Sequence, residues 1–238
     1  LWVGNGIGLW RLNRANSQLE RIVPEKIDFA VNTLLANEDG LYIGTEKGLF
    51  IHKDGQLLQV LTDRNMLAAC NRIMDICLNE DKTVLWLATV QGLFSYSLKD
   101  GKIDSWHFQE NVPEADYFRC LTRIGETLYL GTMSQGVVCF DIPKQTFAHT
   151  VSLGCDVISD ISGDGKETVY IATDGNGVHF LSHKDRKVVR RFFHDVNDKE
   201  GIRSNSIYSL LVDDRGAVWV GHFQAGLDYS LSVSYTHL

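Results

Sequence analysis

The 238-residue sequence has only three prolines and no stretch approaching 18 consecutive apolar residues. The first shortage excludes a proline-rich linker, and the second excludes an apolar helix that crosses a bilayer. Basic residues are outnumbered, 23 Lys and Arg against 30 Asp and Glu, which leaves a net charge of −7. An acidic chain without a basic run suits neither phosphate backbones nor an anionic membrane surface, so neither nucleic acid nor membrane is expected as a partner. The five cysteines (Cys70, Cys77, Cys120, Cys139, Cys155) show no CxxC spacing. Cys77 and Cys139 sit in apolar runs, where Cys acts as a small hydrophobe, so packing filler is expected rather than disulfides or metal ligands. There is no initiator Met and no signal peptide; the chain opens in what reads as mid-strand, and a fragment is expected.

What is abundant is glycine, 21 residues, and much of it recurs at a fixed interval. Leu1-Trp2-Val3-Gly4 precedes Gly8-Leu9, Leu41-Tyr42-Ile43-Gly44-Thr45 precedes Gly48-Leu49, and Leu85-Trp86-Leu87-Ala88-Thr89 precedes Gly92-Leu93. Leu128-Tyr129-Leu130-Gly131-Thr132, Val169-Tyr170-Ile171-Ala172-Thr173 and Val218-Trp219-Val220-Gly221 precede Gly136, Gly177 and Gly226. The aromatic falls at 2, 42, 86, 129, 170 and 219, with spacings of 40, 44, 43, 41 and 49.

Each copy reads as an apolar strand, an acidic or glycine turn, the signature strand, a glycine-ended turn, a third strand and a fourth. No helical periodicity displaces this reading. Four short antiparallel strands in a unit of about 40 residues, repeated, are the pattern of a β-propeller blade. An all-β fold of about six blades is expected over residues 1–230, as part of a seven- or eight-bladed ring. The signatures lie near 1–13, 34–52, 76–97, 121–141, 161–182 and 210–230. The signature aromatic is expected to pack blade against blade, the small residue after it to admit a neighbouring backbone, and the later Gly to supply positive φ. Ser232–Leu238 does not continue the pattern, and 231–238 is set aside as a non-native or frayed tail.

These residues closely resemble the two-component regulator propeller repeat. The best matches are Asp213-Asp214-Arg215-Gly216-Ala217-Val218-Trp219-Val220-Gly221 and Gly226-Leu227-Asp228-Tyr229, with the lead-in Gly201-Ile202-Arg203-Ser204-Asn205-Ser206-Ile207. The copies diverge at Ala88 and Ala172 in place of Gly, at Asn5 and His222 in place of Thr, and at Ile124-Gly125-Glu126, where the Asp turn is lost. The resemblance implies a periplasmic sensor region of a hybrid histidine kinase receptor, a homodimer in the intact receptor, and an oligosaccharide or other small ligand. It implies no catalysis by this segment and no cofactor.

Sharper motifs fail on spacing. Asp160-x-Ser162-x-Asp164-Gly165 opens like a calcium loop, but Ile171 stands where the bidentate Glu belongs. Asp195, Asn197, Asp198 and Glu200 read as a surface loop. His179 and His183 are four apart on a strand, about 13 Å, too far to share one ion. Gly4-Asn5-Gly6-Ile7-Gly8 is turn glycine, not a dinucleotide fingerprint.

In a propeller the second-to-third-strand turns and the blade-to-blade connections share one face, where recognition is expected. The candidates are Lys47, Gln91, Gln135, Asn176, His222 and Gln224 from the turns, with Arg64, Tyr117, Arg119 and Arg203 from the connections. Amides, guanidinium groups and an aromatic suit the directional hydroxyls and apolar faces of sugars. A protein-docking scaffold would instead need a contiguous apolar patch on that face. A propeller lyase or glycosidase would need paired carboxylates, or a His with a metal.

Overall fold

The computed structural model describes residues 1–22, 26–61, 72–109, 117–198 and 201–230. All regular structure among them is strand. In chain order these are β1 (Trp2–Asn5), β2 (Gly8–Asn13), β3 (Gln18–Ile22), β4 (Val31–Asn37), β5 (Gly40–Thr45), β6 (Gly48–Lys53), β7 (Gln56–Gln59), β8 (Ile73–Leu78), β9 (Val84–Thr89), β10 (Gly92–Ser97) and β11 (Ile103–Trp106). They continue as β12 (Phe118–Ile124), β13 (Thr127–Thr132), β14 (Val137–Asp141), β15 (Thr146–Val151), β16 (Ile158–Gly163), β17 (Thr168–Thr173), β18 (Val178–Ser182), β19 (Val188–Phe192), β20 (Ile207–Val212), β21 (Val218–His222) and β22 (Leu227–Ser230).

Consecutive strands pair into six sheets: β1–β3, β4–β7, β8–β11, β12–β15, β16–β19 and β20–β22, numbered 1 to 6 here. Four have four strands, and sheets 1 and 6 have three. The expected meander is therefore borne out. The chain divides into two compact units, Leu1–Phe118 with sheets 1–3 and Arg119–Leu238 with sheets 4–6. No helix among the described residues is long and apolar enough to cross a membrane.

Within each unit the sheets pack face to face on apolar side chains. In the first, Leu9, Val31, Leu41, Ile43 and Phe50 join sheets 1 and 2, and Tyr42, Ile73, Ile76, Leu87 and Phe94 join sheets 2 and 3. In the second, Tyr129, Cys139, Ile158 and Ile171 join sheets 4 and 5, and Ala172, Val178, Ile207, Leu210 and Val220 join sheets 5 and 6. Tyr42 and Tyr129 are thus the inter-sheet wedges the sequence leads one to expect. Each such side chain, fully buried, contributes about 1.5–3 kcal/mol.

The acidic turns are side-chain caps. The Asp164 carboxylate accepts the N–H groups of Lys166, Glu167 and Thr168, and Asp213 accepts those of Arg215 and Ala217. This is the Asx-turn chemistry that places Asp at such sites. The Trp219 indole N–H donates to the second Asp213 oxygen at 3.1 Å, tying the signature aromatic to its own turn. That bond is the largest of the causes that lower the Asp213 pKa. Asp160 and Asp164, read above as a failed calcium loop, do not converge: Asp160 instead accepts the N–H groups of Ile161 and Leu210.

The small residue of the signature has a different reason from the one expected. It makes room for side chains rather than for a neighbouring backbone. A Cβ on Gly44 would lie 2.5 Å from Thr33 Cγ2 and 2.8 Å from Ile73 Cγ2, and one on Gly131 would strike the Cys120 Sγ and Ile158. Thr33 is the Cα partner of Gly44, and Ser209 of Gly221. Opposite the two alanines, Ala88 and Ala172, stand Asp75 and Asp160. Their carboxylates turn aside to accept the next backbone N–H, at 2.9 Å from Ile76 and 2.8 Å from Ile161, which leaves space for a methyl group. The later glycines do take positive φ, from +70° at Gly136 and Gly177 to +146° at Gly8.

Candidate functional site

The signature threonine builds the turn that displays most of the candidate residues. Thr45, Thr89, Thr132 and Thr173 are fully buried. Each donates its hydroxyl to the carbonyl of the following turn glycine, at 2.8–2.9 Å. Each also accepts one backbone N–H, and the donors are Lys47, Gln91, Gln135 and Asn176. Four residues singled out from the sequence thus occupy equivalent, fixed places at the turn ends of sheets 2 to 5.

Within each unit these turns are hydrogen-bonded to the inter-sheet connections. In the second unit, Gly175 and Gly177 donate to the Asn205 carbonyl and Phe223 donates to that of Ser206. In the first, Glu46 donates to Ala30 and Val90 to Arg72.

The candidates differ in how committed they are. Lys47 places its ammonium 4.3 Å from the Phe29 ring centroid. Asn176 spends its amide on the Leu153 carbonyl at 2.7 Å, a structural latch. Gln135 has no side-chain hydrogen bond among the described residues. Tyr117 is half-buried at the end of the first unit, and Arg64 lies outside the described residues. Gln224 is exposed with φ of +66°.

Arg203 and His222 are brought together by a residue not singled out from sequence. Asp228 accepts from Arg203 Nε at 2.8 Å, from the Arg203 backbone N–H at 3.0 Å and from His222 Nε2 at 2.8 Å. The His222 side chain is sealed from solvent. A cleft of about 650 Å³ runs beside this network between β19 and β22, lined by Arg190, Phe193, Arg203, Asp228 and Tyr229 among others.

Arg119 meets an aromatic, Tyr208, that the sequence reading did not single out as a site residue. The inner strands of sheets 2, 3, 5 and 6 carry a β-bulge at one place, leaving Asn32, Met74, Ser159 and Tyr208 without a partner in the register. Arg119 holds the corresponding place in sheet 4, just before Cys120, which lies against Gly131. Bulges re-aim side chains, and Tyr208 at its bulge presents its ring to Arg119, whose guanidinium sits 5.5 Å from the ring centroid. Tyr208 is 59% exposed and Phe223 58%, with ring centroids 6.4 Å apart and planes tilted by 31°. The result is an exposed aromatic pair with a guanidinium over the face of one ring. Its signal in the sequence was an aromatic inside an apolar run, indistinguishable from core until the bulge is seen.

The two component regulator propeller family matches residues 201–224, the stretch from the lead-in through the sixth signature. No curated protein matches the chain. Among solved structures, the extracellular domain of BT4673 from B. thetaiotaomicron, described as a hybrid two component system, aligns with a TM-score of 0.79 at 19% identity. A second structure of that domain gives 0.75 at 18%. In both, the alignment covers 96% of this chain and 31% of the BT4673 chain, so the present chain spans about a third of that length. The computationally designed protein Ika8 aligns with a TM-score of 0.68 at 11% identity, over 97% of this chain and 67% of its own. At such identities the likeness concerns the fold, which is a β-propeller fold, and residues 201–224 match the two component regulator propeller repeat.

Proposed function

We propose that this chain is a ligand-sensing, non-catalytic propeller segment in the extracytoplasmic region of a two-component receptor, and that its ligand is an oligosaccharide. The family repeat and the fold shared with the BT4673 extracellular domain support the sensor reading. The observation that carries the ligand class is the exposed Tyr208–Phe223 pair at the turn end of the second unit. The apolar face of a sugar ring stacks on such rings, while neighbouring amides and guanidinium groups serve its hydroxyls. The sealed His222 imidazole, committed to Asp228, suits a structural part in a binding segment better than proton transfer to a substrate. Signalling follows by population shift: the ligand binds one arrangement of a receptor dimer better and favours it by that difference.

A glycan-library binding screen on the protein tests the ligand class. Binding to at least one oligosaccharide, weakened tenfold or more by Tyr208→Ala, is the expected result. Binding to peptides and to no glycan overturns it.

A further inference from the structure

We infer that the ligand carries a carboxylate, as in an oligosaccharide containing a uronic acid, and that Arg119 is the residue that binds it. This rests on the oligosaccharide reading above and sharpens it to one chemical class.

The argument starts from charge. The arginines Arg11, Arg72 and Arg203 each have a carboxylate partner within 4 Å: Glu20, Glu46 and Asp228. Arg119 has none among the described residues. Its contacts are the Met133 thioether, 3.8 Å from Nη1, and the Tyr208 ring face. The side chain is half-buried, so part of its hydration is already lost. A thioether is a weak acceptor, and a ring quadrupole does not neutralise a full charge. A guanidinium in this condition gains more from an incoming carboxylate than an exposed, hydrated one, because part of the desolvation is already complete. Its planar fork also matches a carboxylate bidentately.

Geometry adds the rest. The carboxylate of a uronic acid projects from the rim of the pyranose ring. A sugar ring stacked on the neighbouring Phe223, whose ring centre is 6.4 Å from that of Tyr208, directs such a group sideways toward the guanidinium that lies over the Tyr208 face, 5.5 Å from its centre. The chain as a whole is acidic, with net charge −7, so its long-range field does not gather anions. Recognition of an acidic ligand must come from a local cation, and Arg119 lies against the exposed Tyr208–Phe223 pair without a carboxylate partner among the described residues.

The test compares a library of uronate-containing oligosaccharides with the same library after carboxyl reduction, which keeps the rings and removes the charge. Wild-type protein is expected to bind at least one acidic member ten or more times tighter than its reduced form. Arg119→Gln should bind both forms alike, and Arg119→Lys should keep part of the preference. Phe223→Ala should weaken both forms by the same factor. Thermal melting of Arg119→Gln should stay close to wild type, since no ion pair among the described residues is lost and only the contact with the Tyr208 ring weakens. Equal binding of acidic and reduced forms by wild type, or an unchanged preference in Arg119→Gln, overturns the inference while leaving oligosaccharide sensing in place. Failure to bind any glycan, acidic or neutral, overturns the sensing proposal itself and this inference with it.

Discussion

Sheets 2 to 4 and sheet 6 are built from the same repeat, yet one side of their turns is made of opposite chemistry. In sheets 2 to 4 the second strand ends on a buried threonine, and the second residue after the turn glycine is Phe50, Phe94 or Val138, all buried. In sheet 6 those two places hold His222 and Asp228, which bond each other and recruit Arg203 from the connection. Sheet 5 stands between: Thr173 keeps the turn, but His179 replaces the apolar residue, fully buried, with its Nε2 on the Asn176 carbonyl at 3.0 Å. The difference teaches that the repeat takes these polar residues into its packing with a partner for one ring nitrogen each, while the Nδ1 atoms of His179 and His222 stay buried without one. A lone polar substitution would leave a buried donor or acceptor unpaired, at a cost of about 1–3 kcal/mol, and more for a charge.

The comparison breaks most sharply by transplanting half of it. Phe94→Asp, in a site with neither the His nor the Arg, is expected to lose about 4 kcal/mol or more, read as a collapsed urea midpoint. A midpoint near wild type would show that Asp228 needs no partners. Next comes the small residue: Gly131→Ala should cost about 1–3 kcal/mol through overpacking on Cys120 and Ile158, whereas Ala172→Gly should cost about 0.5–1 kcal/mol. Equal costs would remove the explanation based on the facing residue. A double-mutant cycle sharpens the sheet 6 contrast. His222→Thr alone deprives Asp228 of a donor, while His222→Thr with Asp228→Phe restores the pattern of sheets 2 and 3, so a coupling of about 0.5–3 kcal/mol is expected. Additive effects would mean that the two departures are independent.

The smallest effect concerns pH. Burial is the main cause that holds the His179 pKa below 6.5, with the bond to the Asn176 carbonyl opposing it. As pH falls below 6.5 the unfolded chain takes up this proton before the folded one does. Stability should therefore decline from pH 7 toward pH 5, and above pH 7 this group contributes no slope. His179→Phe, which copies sheets 2 and 3, should flatten that part of the profile in urea titrations; an unchanged slope would assign it to other groups.

Much of the fold was legible because it is periodic. The Leu-Trp/Tyr-Leu-Gly-Thr runs alternate on a strand period, and glycines that need positive φ follow at four or five residues, so strands and turns declared themselves locally. The positions of Lys47, Gln91, Gln135 and Asn176 at equivalent turns were legible for the same reason. What the residues there do was not. Asn176 is a structural latch and Arg203 serves Asp228, commitments that depend on partners 23 and 25 residues away. The Tyr208–Phe223 platform was hidden because a bulge adds one residue to one strand without changing its apolar character, and so moves a side chain from packing to display.

By itself, then, the sequence determined the local rules: where strands run, where the chain turns and which residues form sheet-to-sheet contacts, since these follow from backbone sterics and burial within one repeat. Tertiary structure alone decided which polar residues were partnered. A guanidinium's fate depends on whether a carboxylate lies within about 4 Å of it, and that distance is set by how strands and connections are brought together, as for Arg11 with Glu20 and Arg203 with Asp228.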